Sequence, residues 1–335
     1  MKAILLEQYN SNLIELIKNL NVSNIDKPIA GDNQVLIKMK YATCNPSDIA
    51  FMRGMYNVKK NLPKALGFEG CGIVVEAGKS KDAQNLLGKR VSCFVQGDHH
   101  GTWAEFVIAK PENCIVLVDE ISDQQAACLF VNPFTAYALF QIAKENKAHS
   151  ILLNAGLSQV ASFIRSFAKT HGIKVINIVR RDNHVELLKQ QGCKYAISSR
   201  SKTYSEDLEN ILNLEKPSVF FDAVGGEATG QIINLLPENA KTIVYGGLSG
   251  DPIGGIDVLD IIFKNKQILG FDLNKFIKNT ERKTFDELSL KLQEQIVNGD
   301  ISTLIQKIST AEEVALAIRQ YITRMSDGKI LFTFE

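Results

Sequence analysis

The feature that most constrains the fold is a regular alternation of short apolar strands and amphipathic helices in the second half of the chain. Residues 151–153 form an apolar run, and the apolar residues within 160–167 then recur at i, i+3, i+4 and i+7. Further strand-like runs follow at 174–179, 219–224 and 242–245. Strands alternating with helices are typical of a parallel, doubly wound α/β sheet.

The first 120 residues have a different pattern, which predicts mostly β structure. Residues 34–40 alternate between apolar and polar side chains, so Val35, Ile37 and Met39 share one face of a strand. The last run, 329–334, alternates in the same way and is predicted to return to this first domain. We therefore expect a mostly-β domain of residues 1–122 plus 268–335, with an α/β domain of residues 123–267 inserted into it.

Composition excludes several classes of protein. The chain has 335 residues and a net charge of +1, so no strong field favours nucleic acid or an anionic membrane surface. No apolar run is long enough for a membrane span, and the N-terminus lacks the pattern of a signal peptide. None of the six cysteines form a Cys-x-x-Cys pair. We expect a cytoplasmic protein with reduced thiols, without nucleic-acid or membrane partners.

The turn after the 151–153 strand is a candidate site for a dinucleotide. A strand–turn–helix unit directs backbone N–H groups and the helix dipole towards a pyrophosphate. Gly156 is the only clear glycine of the usual motif, and Gln159 stands where another glycine would ease approach of the cofactor. Ser158 can add a donor, and Val160 begins the helix. An ordinary strand–helix turn remains the alternative.

The next strand ends in two arginines, which bear on the choice of cofactor. An NAD site favours an acidic residue there, to bind the ribose hydroxyls. Arg180 and Arg181 occupy that position instead, and guanidinium groups suit a 2′-phosphate. The sequence therefore predicts NADPH, with a solvated arginine pair as the alternative.

Two later strands end in glycine-containing turns. Val224 precedes Gly225 and Gly226, and Tyr245 precedes Gly246. Glycines at the carboxyl ends of parallel strands let a ligand lie close to the backbone. Ordinary turns explain each one singly, but two in the same sheet favour a cofactor cleft.

These features, taken in order along the chain, resemble the medium-chain dehydrogenase/reductase superfamily. The similarity is greatest to its zinc-free branch, the quinone oxidoreductases and mitochondrial-type 2-enoyl thioester reductases. It is carried by NPSD at 45–48, RGMY at 53–56, GFEGCGIVVEAG at 67–78, GTWAE at 101–105, VNPFTAY at 131–137, DAVGG at 222–226, YGGL at 245–248 and GFDL at 270–273. The resemblance implies a Rossmann domain inserted in a GroES-like catalytic domain.

The resemblance also implies that the catalytic zinc of the wider superfamily is missing. Its ligand positions correspond to Asn45, Phe68 and Val131, and none of these is a workable zinc ligand. Without a metal to ionise a bound alcohol, alcohol oxidation is disfavoured. Reduction of a carbon–carbon double bond conjugated to a carbonyl stays feasible, because a hydrogen-bond donor can stabilise the developing enolate.

The resemblance assigns roles to several residues. Tyr56 is the candidate catalytic donor, with an aromatic that only packs the cleft wall as the alternative. Asn45 and Thr135 are expected on the nicotinamide side, and Phe271 and Leu273 beside the cofactor. Glu69, by contrast, is expected to be a buried, hydrogen-bonded structural acid.

Three functions remain open at this point. The first is an NADPH-dependent reductase of quinones or small α,β-unsaturated carbonyls. The second is a 2-enoyl thioester reductase, and the third is an NADPH-binding protein without turnover. The resemblance also implies a homodimer formed through an edge strand of the nucleotide domain, near the apolar run 256–263.

Overall fold

The computed structural model describes residues 1–334 and divides into two compact units. Unit 1 comprises Met1–Pro133 and Glu281–Glu335, and unit 2 comprises Phe134–Thr280. The sequence places these divisions after residues 122 and 267, so both lie further along the chain than expected. The short helix after residue 122 packs on strands of unit 1, and the strand that begins at Gln267 pairs within unit 2.

Within residues 1–334 the strands are β1 (Lys2–Leu6), β2 (Asn21–Asn24), β3 (Val35–Thr43), β4 (Lys64–Ala65), β5 (Glu69–Ala77), β6 (Arg90–Phe94), β7 (Phe106–Ala109), β8 (Cys114–Val116), β9 (Ser150–Leu153), β10 (Lys174–Val179), β11 (Tyr195–Ser198), β12 (Val219–Asp222), β13 (Lys241–Val244), β14 (Gln267–Gly270), β15 (Ile305–Thr310) and β16 (Lys329–Thr333).

The α-helices of the same residues are α1 (Leu13–Asn19), α2 (Pro46–Met52), α3 (Lys81–Gln84), α4 (Asp123–Ala126), α5 (Val131–Glu145), α6 (Gln159–Thr170), α7 (Asp182–Gln190), α8 (Tyr204–Glu215), α9 (Gly226–Leu235), α10 (Val258–Phe263), α11 (Leu273–Asn279), α12 (Arg282–Val297) and α13 (Val314–Thr323). None of them combines the length and apolar content that spanning a bilayer requires.

Unit 2 contains the parallel sheet that the sequence predicts. Its six strands are ordered β11-β10-β9-β12-β13-β14, and every neighbouring pair is parallel. This is the 3-2-1-4-5-6 order of a Rossmann fold, so the α/β doubly wound fold class is confirmed. The order reverses between β9 and β12, which makes the carboxyl ends of those strands the topological switch point.

Unit 1 is the GroES-like, mostly-β domain. A seven-stranded sheet follows the order β15-β16-β3-β5-β6-β8, with β7 also paired to β3. Val35, Ile37 and Met39 are all buried in one cluster, which confirms the predicted face of β3. Strand β16 pairs antiparallel with β3, with Leu331 opposite Thr43, so the C-terminal strand does return to the N-terminal domain.

Candidate functional site

The predicted catalytic tyrosine lies in unit 1, in the loop that follows α2. The half-buried Tyr56 ring stacks on Phe68, with ring centroids 5.5 Å apart and planes 30° apart. Gln96 Nε2 donates to the Tyr56 hydroxyl oxygen at 3.2 Å. Phe68 is fully buried and also packs edge-on against Phe51. Phe68, which the resemblance aligns with a zinc-ligand position of the wider superfamily, thus contributes an aromatic ring that packs against Tyr56.

Glu69, the residue after Phe68, belongs to a network of buried, hydrogen-bonded polar side chains. Asn45 Nδ2 donates to Glu69 Oε2 at 2.8 Å, and Lys329 Nζ donates to Asn45 Oδ1. All three residues are at most 4% exposed. The prediction that Asn45 lies beside the nicotinamide stays a prediction, but its amide oxygen and amide nitrogen both bind neighbours in unit 1.

The second oxygen of Glu69 holds the beginning of a helix. Glu69 Oε1 accepts hydrogen bonds from the backbone N–H groups of Phe130, at 2.8 Å, and Val131, at 2.7 Å. These groups lie at the N-terminus of α5, where intrahelical partners are lacking and a negative charge is favoured. Glu69 is thus the buried, hydrogen-bonded structural acid that the sequence predicts. It also brings two of the three zinc-ligand positions, 45 and 131, to one carboxylate.

Burial is the main cause of the pKa shifts in this network. Burial raises the pKa of Glu69, while the hydrogen bonds from Val131, Asn45 and Phe130 and the nearby Lys329 charge work in the opposite direction. Burial also lowers the pKa of Lys329, and the neighbouring Glu69 and Asp48 carboxyl groups oppose that change. Since Glu69 accepts three N–H donors, we assign it as the ionised partner and Lys329 as its counter-charge.

Asp48 is a second buried carboxyl group of this region, and it gives a pH-dependent prediction. Burial raises its pKa to about 7, against the opposing hydrogen bond from the Asn45 N–H. Its Oδ1 atom is buried without a hydrogen-bond partner among the described residues. Between about pH 4 and pH 7 the folded state keeps this proton while the unfolded state releases it, so Asp48 lowers the stability as pH rises through that window.

Asp48→Asn is therefore expected to change the free energy of unfolding little at pH 4.5 and to raise it above pH 7. Three pKa units set an upper limit of about 4 kcal/mol, and we expect about 1–3 kcal/mol. Urea unfolding of both proteins at pH 4.5, 6 and 8 measures the difference, with Asp82→Asn on the exposed surface as the control. A constant difference across these pH values would show that Asp48 is ionised throughout.

No metal centre replaces the missing ligands in the described part of the chain. Residues 1–334 contain no group of three or more His, Cys, Asp or Glu side chains arranged to hold a metal ion. At the three ligand positions, the Asn45 amide is hydrogen-bonded and the Phe68 and Val131 side chains have no donor atom.

The predicted cofactor residues of unit 2 are brought together by topology. Gly156 and Ser158 follow β9, Arg180 and Arg181 follow β10, Val224 follows β12, Tyr245 and Gly246 follow β13, and Phe271 and Leu273 follow β14. Because the strands are parallel, their carboxyl ends share one edge of the sheet. Gln159 and Val160 begin α6 at the same edge, whereas Thr135 lies on α5 and is 7% exposed.

The structure explains why the β9–α6 turn has glycine at position 156 and serine at position 158. A Cβ atom at Gly156 would lie 2.9 Å from the Asn177 Cβ, so only glycine allows the turn to pack this closely on β10. The Gly156 N–H donates to the Ile178 carbonyl at 2.9 Å. Ser158 is the N-cap of α6, and its hydroxyl accepts from the Ala161 N–H at 3.2 Å. Gly156 and Ser158 therefore both stabilise the turn between β9 and α6.

An Asn–Asp pair at the switch point was not predicted from the sequence. The Asn154 amide donates to Asp222, and Asn154 Oδ1 accepts from the Ala223 N–H at 2.7 Å. The fully buried Asp222 also accepts from Val224, Gly225 and Thr229. This pair ties the turn after β9 to the turn after β12. The available signal was the position of Asp222, directly after an apolar strand and before two glycines.

The turn after β13 combines a tight backbone with a buried hydroxyl. A Cβ at Gly246 would lie 2.7 Å from the Ala223 carbonyl oxygen, so glycine is required there. Burial raises the pKa of Tyr245, which the approach of the Ser158 hydroxyl opposes. That contact lacks hydrogen-bond geometry, and the Tyr245 hydroxyl is a buried polar atom without a partner among the described residues.

Two family models match the chain, one within unit 1 and one mainly in unit 2. The model of the alcohol dehydrogenase GroES-like domain matches residues 31–119, and that of the zinc-binding dehydrogenases matches residues 160–291. The solved structure of a putative NADPH:quinone reductase from Mesorhizobium loti is 32% identical, with a TM-score of 0.92 over 99% of this chain and 98% of that chain. The chain belongs to the medium-chain dehydrogenase/reductase superfamily, in its zinc-free branch, and is an oxidoreductase.

Other similar proteins include both enoyl-[acyl-carrier-protein] reductases and quinone oxidoreductases. Mitochondrial enoyl-[acyl-carrier-protein] reductase of Dictyostelium discoideum is 29% identical over 78% of this chain and 74% of its own length. Escherichia coli quinone oxidoreductase, solved in complex with NADPH, is 22% identical with a TM-score of 0.87 over 99% of this chain and all of that chain. The second likeness shows the shared fold.

Proposed function

We propose that the protein is a zinc-independent, NADPH-dependent reductase of quinones or small α,β-unsaturated carbonyls. The observation that carries this proposal is the replacement of the metal-ligand position by Phe68, whose ring supports the phenol of Tyr56. A phenol is a hydrogen-bond donor that stays protonated at neutral pH, and it can stabilise an oxyanion without a metal.

The residues at the carboxyl edge of the unit 2 sheet fit a phosphorylated dinucleotide. Arg180 and Arg181 are both exposed at the end of β10 and present guanidinium donors for a 2′-phosphate. The α6 N-terminus and Ser158 suit the pyrophosphate, and the unpartnered Tyr245 hydroxyl supplies a further polar group. The bound cofactor would supply the hydride; the protein orients it and excludes water.

Tyr56 acts on the substrate in this proposal. Hydride addition at the β carbon places negative charge on the substrate carbonyl oxygen, and the Tyr56 hydroxyl donates to that oxygen. Gln96 donates to the phenol oxygen and so fixes the position of the ring together with Phe68. A donor placed before the reaction needs no reorganisation when the charge develops.

Tyr56→Phe is expected to lower kcat for enone or quinone reduction by about 10²-fold, since removal of one oxyanion donor has effects of this size. The affinity for NADPH is expected to stay within about twofold. Steady-state kinetics and fluorescence titration with NADPH measure the two quantities. Tyr41→Phe, a half-buried tyrosine on β3, is the control. An unchanged kcat in the Tyr56 variant would remove this residue from the mechanism.

A second candidate is a 2-enoyl thioester reductase, favoured by the similarity to mitochondrial enoyl-[acyl-carrier-protein] reductases. The same hydride addition and the same donor would serve a thioester carbonyl. The ratio of kcat/KM for a long-chain enoyl-CoA to that for a simple quinone decides between the two. NADPH binding without oxidation across quinones, enones and enoyl-CoA would instead favour a protein without turnover.

We also propose that the protein forms a homodimer through unit 2. Strand β14 is the edge of the sheet, and Ile268 and Leu269 on it are 38% and 46% exposed. Helix α10 directly precedes β14 in the sequence, and its side chains Val258, Ile262 and Phe263 are each at least 65% exposed. An unpaired strand edge and a group of large exposed apolar side chains are typical of a protein–protein interface.

Ile262→Asp with Phe263→Asp is expected to convert the dimer to a monomer, because two charges would be buried without partners. Light scattering coupled to size-exclusion chromatography measures the mass of each form. Leu214→Asp with Leu316→Asp, which alters exposed leucines outside this region, is the control. A wild-type protein that is monomeric at micromolar concentration would contradict the proposal.

A further inference from the structure

A small cavity in unit 1 lies outside the groups discussed so far. Its volume is about 90 Å³, and it is lined by Pro28, Lys64, Asp98, His99, His100 and Ile108. That volume corresponds to roughly three water molecules in the liquid. The cavity can therefore hold one small tetrahedral ion, and three of the six lining side chains are basic.

Lys64 lines the cavity, and the buried Lys60 is bonded to the backbone of the lining residue His99. Lys64 Nζ has neither a hydrogen bond nor an ion pair among residues 1–334. Lys60 is 7% exposed, and its Nζ donates to the backbone carbonyl of His99 at 2.9 Å. Burial lowers the pKa of Lys60 to about 8; Asp48 and Asp98 oppose the change, and Lys64 adds to it. The Lys64 ammonium group lines the cavity without a neutralising partner among the described residues, so it is available to a bound anion.

His100 presents a defined donor. The Ala65 N–H donates to His100 Nδ1 at 3.0 Å, so the neutral ring carries its proton on Nε2. Burial lowers the pKa of His100, and the charges of Lys64, Lys60 and His99 lower it further. The imidazole therefore lies in a positive field and offers an N–H group rather than a lone pair.

Asp98, the one carboxylate among the residues that line the cavity, is hydrogen-bonded to Asn61. Asp98 Oδ1 accepts from the Asn61 N–H at 2.8 Å, and Oδ2 accepts from Asn61 Nδ2. Those bonds lower the pKa of Asp98, with smaller contributions from Lys64 and Lys60. Asp98 therefore balances part of the charge, but both of its oxygens are occupied by Asn61.

From this geometry we propose that the cavity beside Lys64, His99 and His100 is a binding site for a phosphate-type oxyanion. The ligand is either inorganic phosphate or the phosphate group of an organic monoester, for which Pro28 and Ile108 provide an apolar wall. Lysine and imidazole N–H groups bind such oxygens by charge-assisted hydrogen bonds. The site is independent of the proposed reductase activity, since its occupancy needs neither cofactor nor turnover.

Titration of the full chain with inorganic phosphate, followed by NMR of ¹³C-labelled histidines, tests the site. The signals of His99 and His100 are expected to shift saturably at constant ionic strength. Lys64→Gln is expected to weaken binding at least about tenfold, the loss typical of one charged hydrogen bond. Lys59→Gln is the matched control, because Lys59 Nζ is bound to the Gly54 carbonyl at 2.7 Å instead.

Two further titrations separate the sources of the phosphate group. Phosphopantetheine that binds more tightly than inorganic phosphate, while pantetheine does not bind, would assign the site to an organic monoester. Equal affinities for phosphopantetheine and inorganic phosphate would assign it to the free ion. Shifts that remain linear with phosphate concentration, or equal affinities in the Lys64→Gln and Lys59→Gln variants, would overturn the proposal.

Discussion

Replacing both Arg180 and Arg181 by alanine is expected to weaken NADPH binding by about 10²–10³-fold, while NADH binding changes by less than about threefold. Hydrogen bonds to charged groups contribute about 1.5–3 kcal/mol each, and two guanidinium groups are removed. NADH lacks the 2′-phosphate, so it loses none of these bonds. Fluorescence titration with each cofactor at 0.15 M salt measures the two affinities.

The position of the arginines is the reason for expecting selectivity rather than a general loss. Both follow β10, the strand next to β9 in the Rossmann order, where an acidic residue would bind the ribose hydroxyls of NAD. Both side chains are exposed, so alanine removes charge without leaving a cavity.

A double variant of Lys189 and Lys194 to alanine is the control for net charge, because these exposed lysines of unit 2 lie at the end of α7 and before β11, away from the carboxyl ends of the strands. It is expected to leave both cofactor affinities nearly unchanged. Equal losses for NADPH and NADH in the arginine variant would contradict recognition of a 2′-phosphate. They would indicate instead that the arginines support the fold of the turn.

Lys329→Met is expected to lower the free energy of unfolding by about 3–5 kcal/mol, the loss typical when one partner of a buried ionic network is removed. Methionine preserves most of the side-chain volume but has no donor for Asn45 Oδ1. The Glu69 carboxylate would then stay buried without its counter-charge. Denaturant unfolding at pH 7 measures the change.

Lys2→Met is the control, since Lys2 forms an exposed ion pair with Glu312, and such pairs contribute little. A double-mutant cycle with Glu69→Gln gives a sharper test. If the two charges compensate each other, Glu69→Gln will cost less in the Lys329→Met background than in the wild type. Strictly additive costs would show that Lys329 and Glu69 are energetically independent.

Much of unit 2 could be predicted because its signals are local. The strands β9 and β10 and the helix α6 each carry their own periodicity, and the structure places them close to the predicted residues. The fold class followed from the order of these elements.

The buried network of unit 1 could not be predicted, because its members are far apart in the sequence. Lys329 and Asn45 are 284 residues apart, and no spacing or motif connects them. A lysine in an alternating C-terminal strand is expected to face solvent. Only the pairing of β16 with β3 brings the lysine next to Asn45.

The boundary between the two units also could not be predicted from local sequence signals. The predicted boundary after residue 267 falls within β14 and separates residues 268–270 from the sheet to which they belong. All four residues of β14 are exposed, so burial does not mark it as a strand of this sheet. An edge strand of this kind is assigned by its hydrogen bonds to β13 rather than by its composition.

The interleaved sheet of unit 1 has a consequence for the order of events during synthesis. Strands β3, β5 and β6 are made before residue 95, but their neighbour β16 leaves the ribosome more than two hundred residues later. Unit 2 is one continuous segment and has its full set of strands before then. In the nascent chain, Glu69 therefore lacks the Lys329 ammonium group until residue 329 has been synthesised.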